Sequence, residues 1–196
     1  TLDNVIKSIT PNTKVISLAH ITNVIGDERP IKEITDYAHK HNILVVLDAA
    51  QSAPHVKIDV ENLGVDFMGF SGHKMCGPTG IGVLYGKYEL LNKLNPQNVG
   101  GGMNNDFESN MTYRYKELPY RLEAGTPNIE GVIGLGSAID YINSIGINNI
   151  ENYVSNLRSY AIDKLSKLKN IDIYNKDIKS STIIFNVRGV HSQDTS

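Results

Sequence analysis

The residues of this chain best suited to chemistry are a lysine among small polar residues and a carboxylate at the end of a second strand. The apolar residues 67–70 lead into the tetrapeptide Ser-Gly-His-Lys at 71–74, and a glycine-rich turn follows. Upstream, the apolar residues 44–47 end in Asp48. Open parallel sheets bind their ligands beyond the carboxyl ends of the strands. An amine, a carboxylate and hydroxyl groups gathered there suit an anionic, nitrogen-containing cofactor.

Lys74 is the residue we predict to be catalytic. A lysine amine forms Schiff bases with carbonyl compounds, among them pyridoxal phosphate (PLP). Such a lysine must be partly desolvated at a strand end, so that its amine is not always protonated. A lone lysine in a turn is more often a solvated surface residue, and it is the neighbours of Lys74 that favour the chemical role.

The neighbouring side chains each have a chemical and an ordinary interpretation. Asp48 can pair with a protonated pyridine nitrogen, or it can be the N-cap of a helix. Gln51 can donate to the phenolic oxygen of the ring, or it is a surface amide. Ser71 and His73 can hold a phosphate, or they are a turn serine and a hydrogen-bonded histidine.

Two further segments offer candidates. His20 and Asn23 follow the apolar strand 15–19, so we expect them to face the same crevice. Asn23 can bind a substrate carboxylate, although Asn is also common in turns. Thr126 lies in a Gly-Thr-Pro-Asn turn and is either a further phosphate ligand or a local cap.

Composition and motifs argue against several other functions. The glycine-rich turn at 77–82 lacks the Gly-Lys-Ser/Thr ending of a nucleotide-binding loop and runs into a strand. No His, Cys or Asp cluster has metal-ligand spacing, so we predict no metal.

A net charge of −2 makes no case for nucleic acid or an anionic membrane, and no apolar run approaches the roughly 20 residues of a membrane span. The single cysteine, Cys76, excludes an internal disulfide and favours a reducing compartment such as the cytoplasm.

The pattern of apolar residues predicts an α/β fold. The strand 15–19, a helix over residues 31–42 and the strand 43–47 form a βαβ unit, which implies a parallel sheet. A third strand spans 65–70, and 81–85 follows it so closely that we expect an antiparallel partner. For the later part of the chain we predict a long mobile or partner-ordered segment at 95–119, helices at 129–144 and 150–168, and strands at 171–174 and 182–187.

Several motifs, in the right order along the whole chain, resemble the class V aminotransferase family of PLP enzymes, and most closely its SUF-type cysteine desulfurases. The resemblance rests on residues 20–26, 48–51, 70–82, 123–128 and 131–136. It implies the large domain of a fold-type I PLP-dependent transferase, a mainly parallel sheet with helices on both faces. Residues 1–150 would be part of the PLP-binding large domain, and 151–196 the beginning of a small α+β domain. The chain would thus be a truncated piece of a longer enzyme.

The resemblance also implies a role for each cofactor contact. Lys74 would carry PLP on its amine, and Asp48 would pair with the pyridine nitrogen. Gln51 would hydrogen-bond the ring oxygen. Ser71 and His73 would hold the phosphate.

The substrate, the subunit interface and the reaction follow from the same resemblance. Asn23 would contact the substrate, and Thr126 would reach the phosphate of the neighbouring subunit in a homodimer. The family reaction takes sulfur from L-cysteine and leaves L-alanine and an enzyme persulfide. That sulfur then passes to an acceptor protein for iron–sulfur cluster assembly.

The chain departs from the family pattern in ways that affect activity. The family's nucleophilic cysteine lies on a loop beyond the equivalent of Ser196, and Cys76 does not match its position. The carboxylate-binding arginine and the N-terminal histidine that stacks on the ring have no counterpart here. We therefore expect no desulfurase turnover from these 196 residues alone. A selenocysteine lyase and a class V aminotransferase are alternatives, and a non-catalytic fragment that binds no PLP is an alternative from another class.

Overall fold

A four-stranded sheet forms the centre of the computed structural model, which describes residues 1–107 and 113–195. The strands β1 (Val15–Ala19), β2 (Leu44–Asp48), β3 (Phe67–Ser71) and β4 (Gly82–Gly86) lie in that order. β1, β2 and β3 are parallel, and β4 is antiparallel to β3. The βαβ unit and the antiparallel fourth strand predicted from the sequence are confirmed.

The crossover helix α2 (Ile31–Lys40) covers one face of this sheet. Its buried residues Ile31, Ile34, Thr35 and Ala38 recur at the spacing that places side chains on one side of a helix. Ile31 and Ala38 pack against strand residues that point to the same side, among them Val45. The acidic first turn and basic last turn of α2 complement the helix dipole.

The opposite face of the sheet is open. Successive side chains of a strand point to opposite faces, so Val46 and Asp48 lie opposite the buried Val45 and Leu47. On this second face the β4 residue Leu84 is 58% exposed. The open face therefore leaves room for a ligand above the strands.

The segment predicted to be mobile or partner-ordered contains two paired strands. β5 (Asn104–Phe107) and β6 (Tyr113–Tyr115) are antiparallel, and Met103 just before β5 is fully buried. The prediction missed these strands because the segment is polar and its pairing depends on backbone hydrogen bonds. For residues 108–112, the prediction falls outside the described residues.

A C-terminal unit, residues 166–195, follows two consecutive helices. α5 (Ile129–Ile145) and α6 (Ile147–Leu165) are separated by Gly146 alone, and β7 (Ile171–Ile173) pairs with β8 (Phe185–Val187) in antiparallel fashion. The proposed domain boundary after residue 150 stays a prediction. The remaining helices are the short α1 (Leu2–Ser8), α3 (Val60–Leu63), α4 (Tyr88–Leu91) and α7 (Ser192–Thr195). Among the described residues, no helix is both long and apolar enough to cross a membrane.

Candidate active site

Asp48 and Ser71 end neighbouring strands and share one face of the sheet. Asp48 lies opposite Gly69 in the β2–β3 pairing, and Ser71 is two residues beyond Gly69. Since side chains alternate between faces, Ser71 points to the same side as Asp48. Both residues line an open cavity of about 520 Å³. The structure thus brings together these two of the residues predicted from the sequence.

The Asp48 carboxylate keeps an oxygen available. Its Oδ1 accepts a hydrogen bond from the backbone N–H of Ala50 at 2.9 Å, the contact of an Asx turn. The side chain is otherwise exposed, and no second partner of Asp48 occurs among the described residues. This carboxylate is fixed in orientation and still able to accept a hydrogen bond from a cationic ring nitrogen.

Gln51 and Asn23 meet in the loops that follow β2 and β1. The Gln51 side-chain amide donates a hydrogen bond to Oδ1 of Asn23. Gln51 follows β2 and Asn23 follows β1, so the contact joins the loops at two adjacent strand ends. Both residues were predicted to belong to one site, and the structure places them in direct contact.

The lysine turn begins where β3 ends. The N–H of Gly72 donates to the Ile81 carbonyl at 2.9 Å, and the N–H groups of Met75 and Gly77 both donate to the Gly72 carbonyl at 3.0 Å. The buried Met75 side chain anchors the turn to α5. Lys74 is exposed, contrary to the expected partial desolvation, and its amine forms no hydrogen bond or ion pair within the part of the chain that the structure describes.

A glycine at position 77 is needed for this turn to close. A Cβ atom built on Gly77 would lie 2.8 Å from the Gly72 carbonyl oxygen, a backbone atom that cannot move aside without unwinding the turn. The preceding residue, Cys76, adopts a φ of 62°, and its thiol is exposed. The turn that presents Lys74 is therefore compact and closely packed.

Thr126 lies in a loop that is anchored to the end of the lysine turn. Asn128 caps α5 by accepting the Gly131 N–H at 2.9 Å, and its side-chain amide donates to the Gly80 carbonyl at 3.3 Å. Thr126 itself is exposed and does not line the cavity of Asp48 and Ser71. The structure places it near the turn but not among the residues of that cavity.

His20 does not share the crevice with Asn23, contrary to our expectation. It is 6% exposed, because β1 directs Ala19 to the open face and the next side chain to the buried one. Its Nε2 lies 3.5 Å from a carboxylate oxygen of Glu28. Burial lowers the pKa of the His20 ring, and Glu28 offsets only part of that shift.

One buried contact next to the candidate site was not predicted from the sequence. Asn175 in the C-terminal unit donates from Nδ2 to the carbonyl oxygen of Ile25 at 2.9 Å, two residues from Asn23. No local pattern marks this asparagine, because its partner is 150 positions away. In the described ranges, no three His, Cys, Asp or Glu residues are grouped so as to hold a metal ion.

Comparison with known proteins assigns the fold. The cysteine desulfurase CsdA of Escherichia coli superposes with a TM-score of 0.92 at 38% identity, over 98% of this chain and 48% of that one. The apo cysteine desulfurase of Thermococcus onnurineus NA1 gives a TM-score of 0.87 at 36% identity, over 99% of this chain and 49% of that one. The fold is therefore that of part of a fold-type I PLP-dependent transferase, as predicted.

The sequence itself assigns the family. The model of the class-V aminotransferases matches residues 1–196, so the chain belongs to that family. A probable cysteine desulfurase of Halalkalibacterium halodurans is 46% identical over 195 residues, which are 100% of this chain and 48% of that protein. The chain spans about half the length of such relatives.

Proposed function

We propose that this chain is the PLP-binding core of a cysteine desulfurase. The observation that carries the proposal is the free Lys74 amine, held in a closed turn where β3 ends, beside the strand that ends in Asp48. An amine and a carboxylate at one edge of a parallel sheet are what a carbonyl cofactor with a basic ring nitrogen requires. The similarity to named cysteine desulfurases supports the choice of reaction.

The residues present fit this cofactor. On the open face, Gly69 lies between Asp48 and Leu84 and has no side chain, so it leaves space for a ring beside Asp48. Asp48 has an oxygen free to accept the N–H of a protonated ring nitrogen, and that contact favours the charged form of the ring. The hydroxyl of Ser71, on the same face, suits the phosphate.

The remaining polar side chains would orient the cofactor and the substrate. Gln51 would donate its second N–H to the ring oxygen, and His73 would complete the phosphate site with Ser71. Asn23, which accepts a hydrogen bond from Gln51, would bind the substrate carboxylate. When bound, PLP supplies an electron sink for the bonds around the substrate α-carbon. Each protein group then holds one end of the cofactor or substrate in register with Lys74.

The reaction we propose for the longer protein converts L-cysteine to L-alanine. The carbon–sulfur bond of the substrate breaks, and a sulfur–sulfur bond forms on an enzyme thiol, so that a persulfide and alanine account for all atoms. The persulfide sulfur then passes to an acceptor protein for iron–sulfur cluster assembly, in the cytoplasm. We do not assign the thiol to Cys76. We therefore infer that these 196 residues release no alanine on their own.

We also propose a homodimer. Thr126 is exposed beside the lysine turn and lies outside the cavity of its own subunit. In a dimer with sites at the interface, its hydroxyl would reach the phosphate bound to the neighbouring subunit. Loss of PLP affinity on dilution, together with a change in sedimentation, is the expected sign of such a shared site.

The experiment that tests the proposal is a titration with PLP followed by visible absorption. We expect the wild-type chain to develop the band of lysine-bound PLP, and Lys74→Ala to lack it. Lys57→Ala, which removes another exposed lysine, is the matched control and should keep the band. Reduction with borohydride followed by peptide mass spectrometry should locate the cofactor on Lys74.

Each outcome bears on a different part of the proposal. No band in either wild type or variant would mean a non-catalytic chain that does not bind PLP. Alanine formed from L-cysteine by this chain alone would contradict the predicted need for a further thiol. Pyruvate formed from L-alanine, with loss of the band, would favour an aminotransferase.

A further inference from the structure

A contact between the C-terminal unit and the loop that carries Asn23 has no role in the function proposed so far. We define this loop, residues 21–28, as the Asn23 loop. Asn175 donates to the carbonyl oxygen of Ile25 at 2.9 Å. On the other side of the loop, Asn23 accepts the hydrogen bond of Gln51. One short loop thus lies between the C-terminal unit and the candidate cofactor site.

Asn175 is held firmly in place. It is 1% exposed, its Oδ1 accepts the Ile184 N–H at 2.9 Å, and its Nδ2 also donates to the Thr182 carbonyl at 2.8 Å. The guanidinium of Arg158 donates to the carbonyl oxygens of Asn175, Ile178 and Thr182. A buried side chain with all its polar groups bonded has one orientation, so the position of the Ile25 carbonyl is well defined.

A second contact tightens the same interface. Gly26 has a φ of +78°, and a Cβ atom built on it would lie 1.7 Å from Oγ of Ser180. Only glycine therefore fits at position 26, because any side chain there would clash with Ser180. The backbone of Gly26 therefore packs directly against the Ser180 side chain.

The Asn23 loop is itself stiff enough to transmit a displacement. The Thr22 hydroxyl donates to the Asp27 carboxylate and accepts the Gly26 N–H at 3.1 Å. The Thr22 N–H donates to the Asp27 carbonyl at 3.2 Å. These bonds close the loop around Asn23, so a shift at Ile25 moves Asn23 as well.

We propose that Asn175 is a positioning residue, which fixes the Asn23 loop through the Ile25 carbonyl and so sets the Asn23–Gln51 contact from the C-terminal unit. The consequence for the cofactor rests on the proposed function, whereas the coupling within the chain does not. The coupling would make the cofactor site sensitive to how the C-terminal unit packs.

The first test is amide hydrogen exchange in the cofactor-free chain. In Asn175→Ala, we expect the amides of Thr22, Gly26 and Arg29 to exchange about tenfold faster, because local opening becomes easier. The strand amide of Leu47 should be unchanged. Arg188→Gln is the matched control, since it breaks a contact of the same C-terminal unit with Asp172, at 2.6 Å, that does not involve the Asn23 loop. Unchanged loop exchange in Asn175→Ala, or equal acceleration in the control, would overturn the proposal. Uniform acceleration that includes Leu47 would overturn it too, as a sign of general unfolding.

The second test asks whether the coupling reaches the cofactor. We expect Asn175→Ala and Asn23→Ala each to raise the Kd for PLP about threefold to tenfold, and the double variant to be no weaker than Asn23→Ala alone. Additive losses would contradict the proposal, because independent sites give additive effects. If wild type binds no PLP, the proposed function fails, and the exchange experiment still decides the role of Asn175.

Discussion

Gln51 donates a hydrogen bond to Asn23 across 28 positions of sequence, and the contact joins the loops that follow β1 and β2. Removal of this hydrogen bond should leave the side chains on both loops less firmly held. We expect Gln51→Ala to raise the Kd for PLP about threefold to tenfold, since a hydrogen bond contributes about 1 kcal/mol. Gln97→Ala removes an exposed glutamine from a loop and should leave the Kd unchanged. Equal Kd values for both variants would show that Gln51 is not part of the site.

Asp48→Asn separates the charge of the carboxylate from its structural role. The asparagine oxygen can still accept the Ala50 N–H, so the turn after β2 should persist. The charged partner of the ring nitrogen is lost, and we expect PLP binding to weaken at least tenfold, because hydrogen bonds to charged groups contribute about 1.5–3 kcal/mol. The titration should include Asp140→Asn, an exposed change on α5, as control. Undiminished affinity in Asp48→Asn would show that the cofactor does not use this carboxylate.

Two glycine substitutions should act in opposite directions. In Gly77→Ala the new methyl group meets the Gly72 carbonyl, so we expect a loss of about 1–3 kcal/mol in the free energy of unfolding and loss of PLP binding. Gly136→Ala lies within α5, where an added Cβ meets no atom within 4 Å. It should stabilise the chain by about 0.5–1 kcal/mol. Urea unfolding measures both, and a neutral Gly77→Ala would contradict the close packing of the turn.

Asp66 stabilises the edge of the sheet opposite the candidate site. Its buried carboxylate accepts hydrogen bonds from Lys87 at 2.7 Å, from His39 at 2.9 Å and from the Val45 N–H at 2.7 Å. Burial raises the pKa of this carboxyl, but the three hydrogen bonds together outweigh burial and hold it below its ordinary value of 3.8. We expect Asp66→Asn to lower the free energy of unfolding by about 2 kcal/mol at neutral pH.

The pH dependence of this effect has a defined sign. A carboxyl with a depressed folded-state pKa stabilises the fold above its ordinary pKa, and the stabilisation is lost as the pH falls through the folded-state value. The difference between wild type and Asp66→Asn should therefore shrink below about pH 4. Asp163→Asn breaks an exposed pair with Lys167 and should cost no more than about 0.5 kcal/mol. A difference that is constant down to pH 2 would contradict this role of Asp66.

Cys76 carries the one thiol of the chain, next to the lysine turn. Since we do not assign it as the sulfur acceptor, Cys76→Ser should develop the same PLP absorption band with the same Kd as wild type. Wild-type chain incubated with PLP and L-cysteine should show no persulfide on Cys76 by mass spectrometry. A persulfide there would require a different account of the sulfur transfer.

The strands of the sheet, the antiparallel β4 and the family of the chain could all be predicted from local sequence. These depend on local patterns: apolar runs, the glycine turn after Lys74 and motifs in a fixed order. Such patterns act over a few residues, where periodicity and backbone preference decide the outcome.

Which of the polar side chains meet depends on how the whole chain folds. Register places Asp48 and Ser71 on one open face and buries His20 on the other, although His20 and Asp48 both follow apolar strands. The strand pair after Met103 depends on backbone pairing that composition does not reveal. The contact of Asn175 with Ile25 depends on how the C-terminal unit folds back across 150 positions. Contacts at that separation follow from the path of the whole chain, which no local pattern encodes.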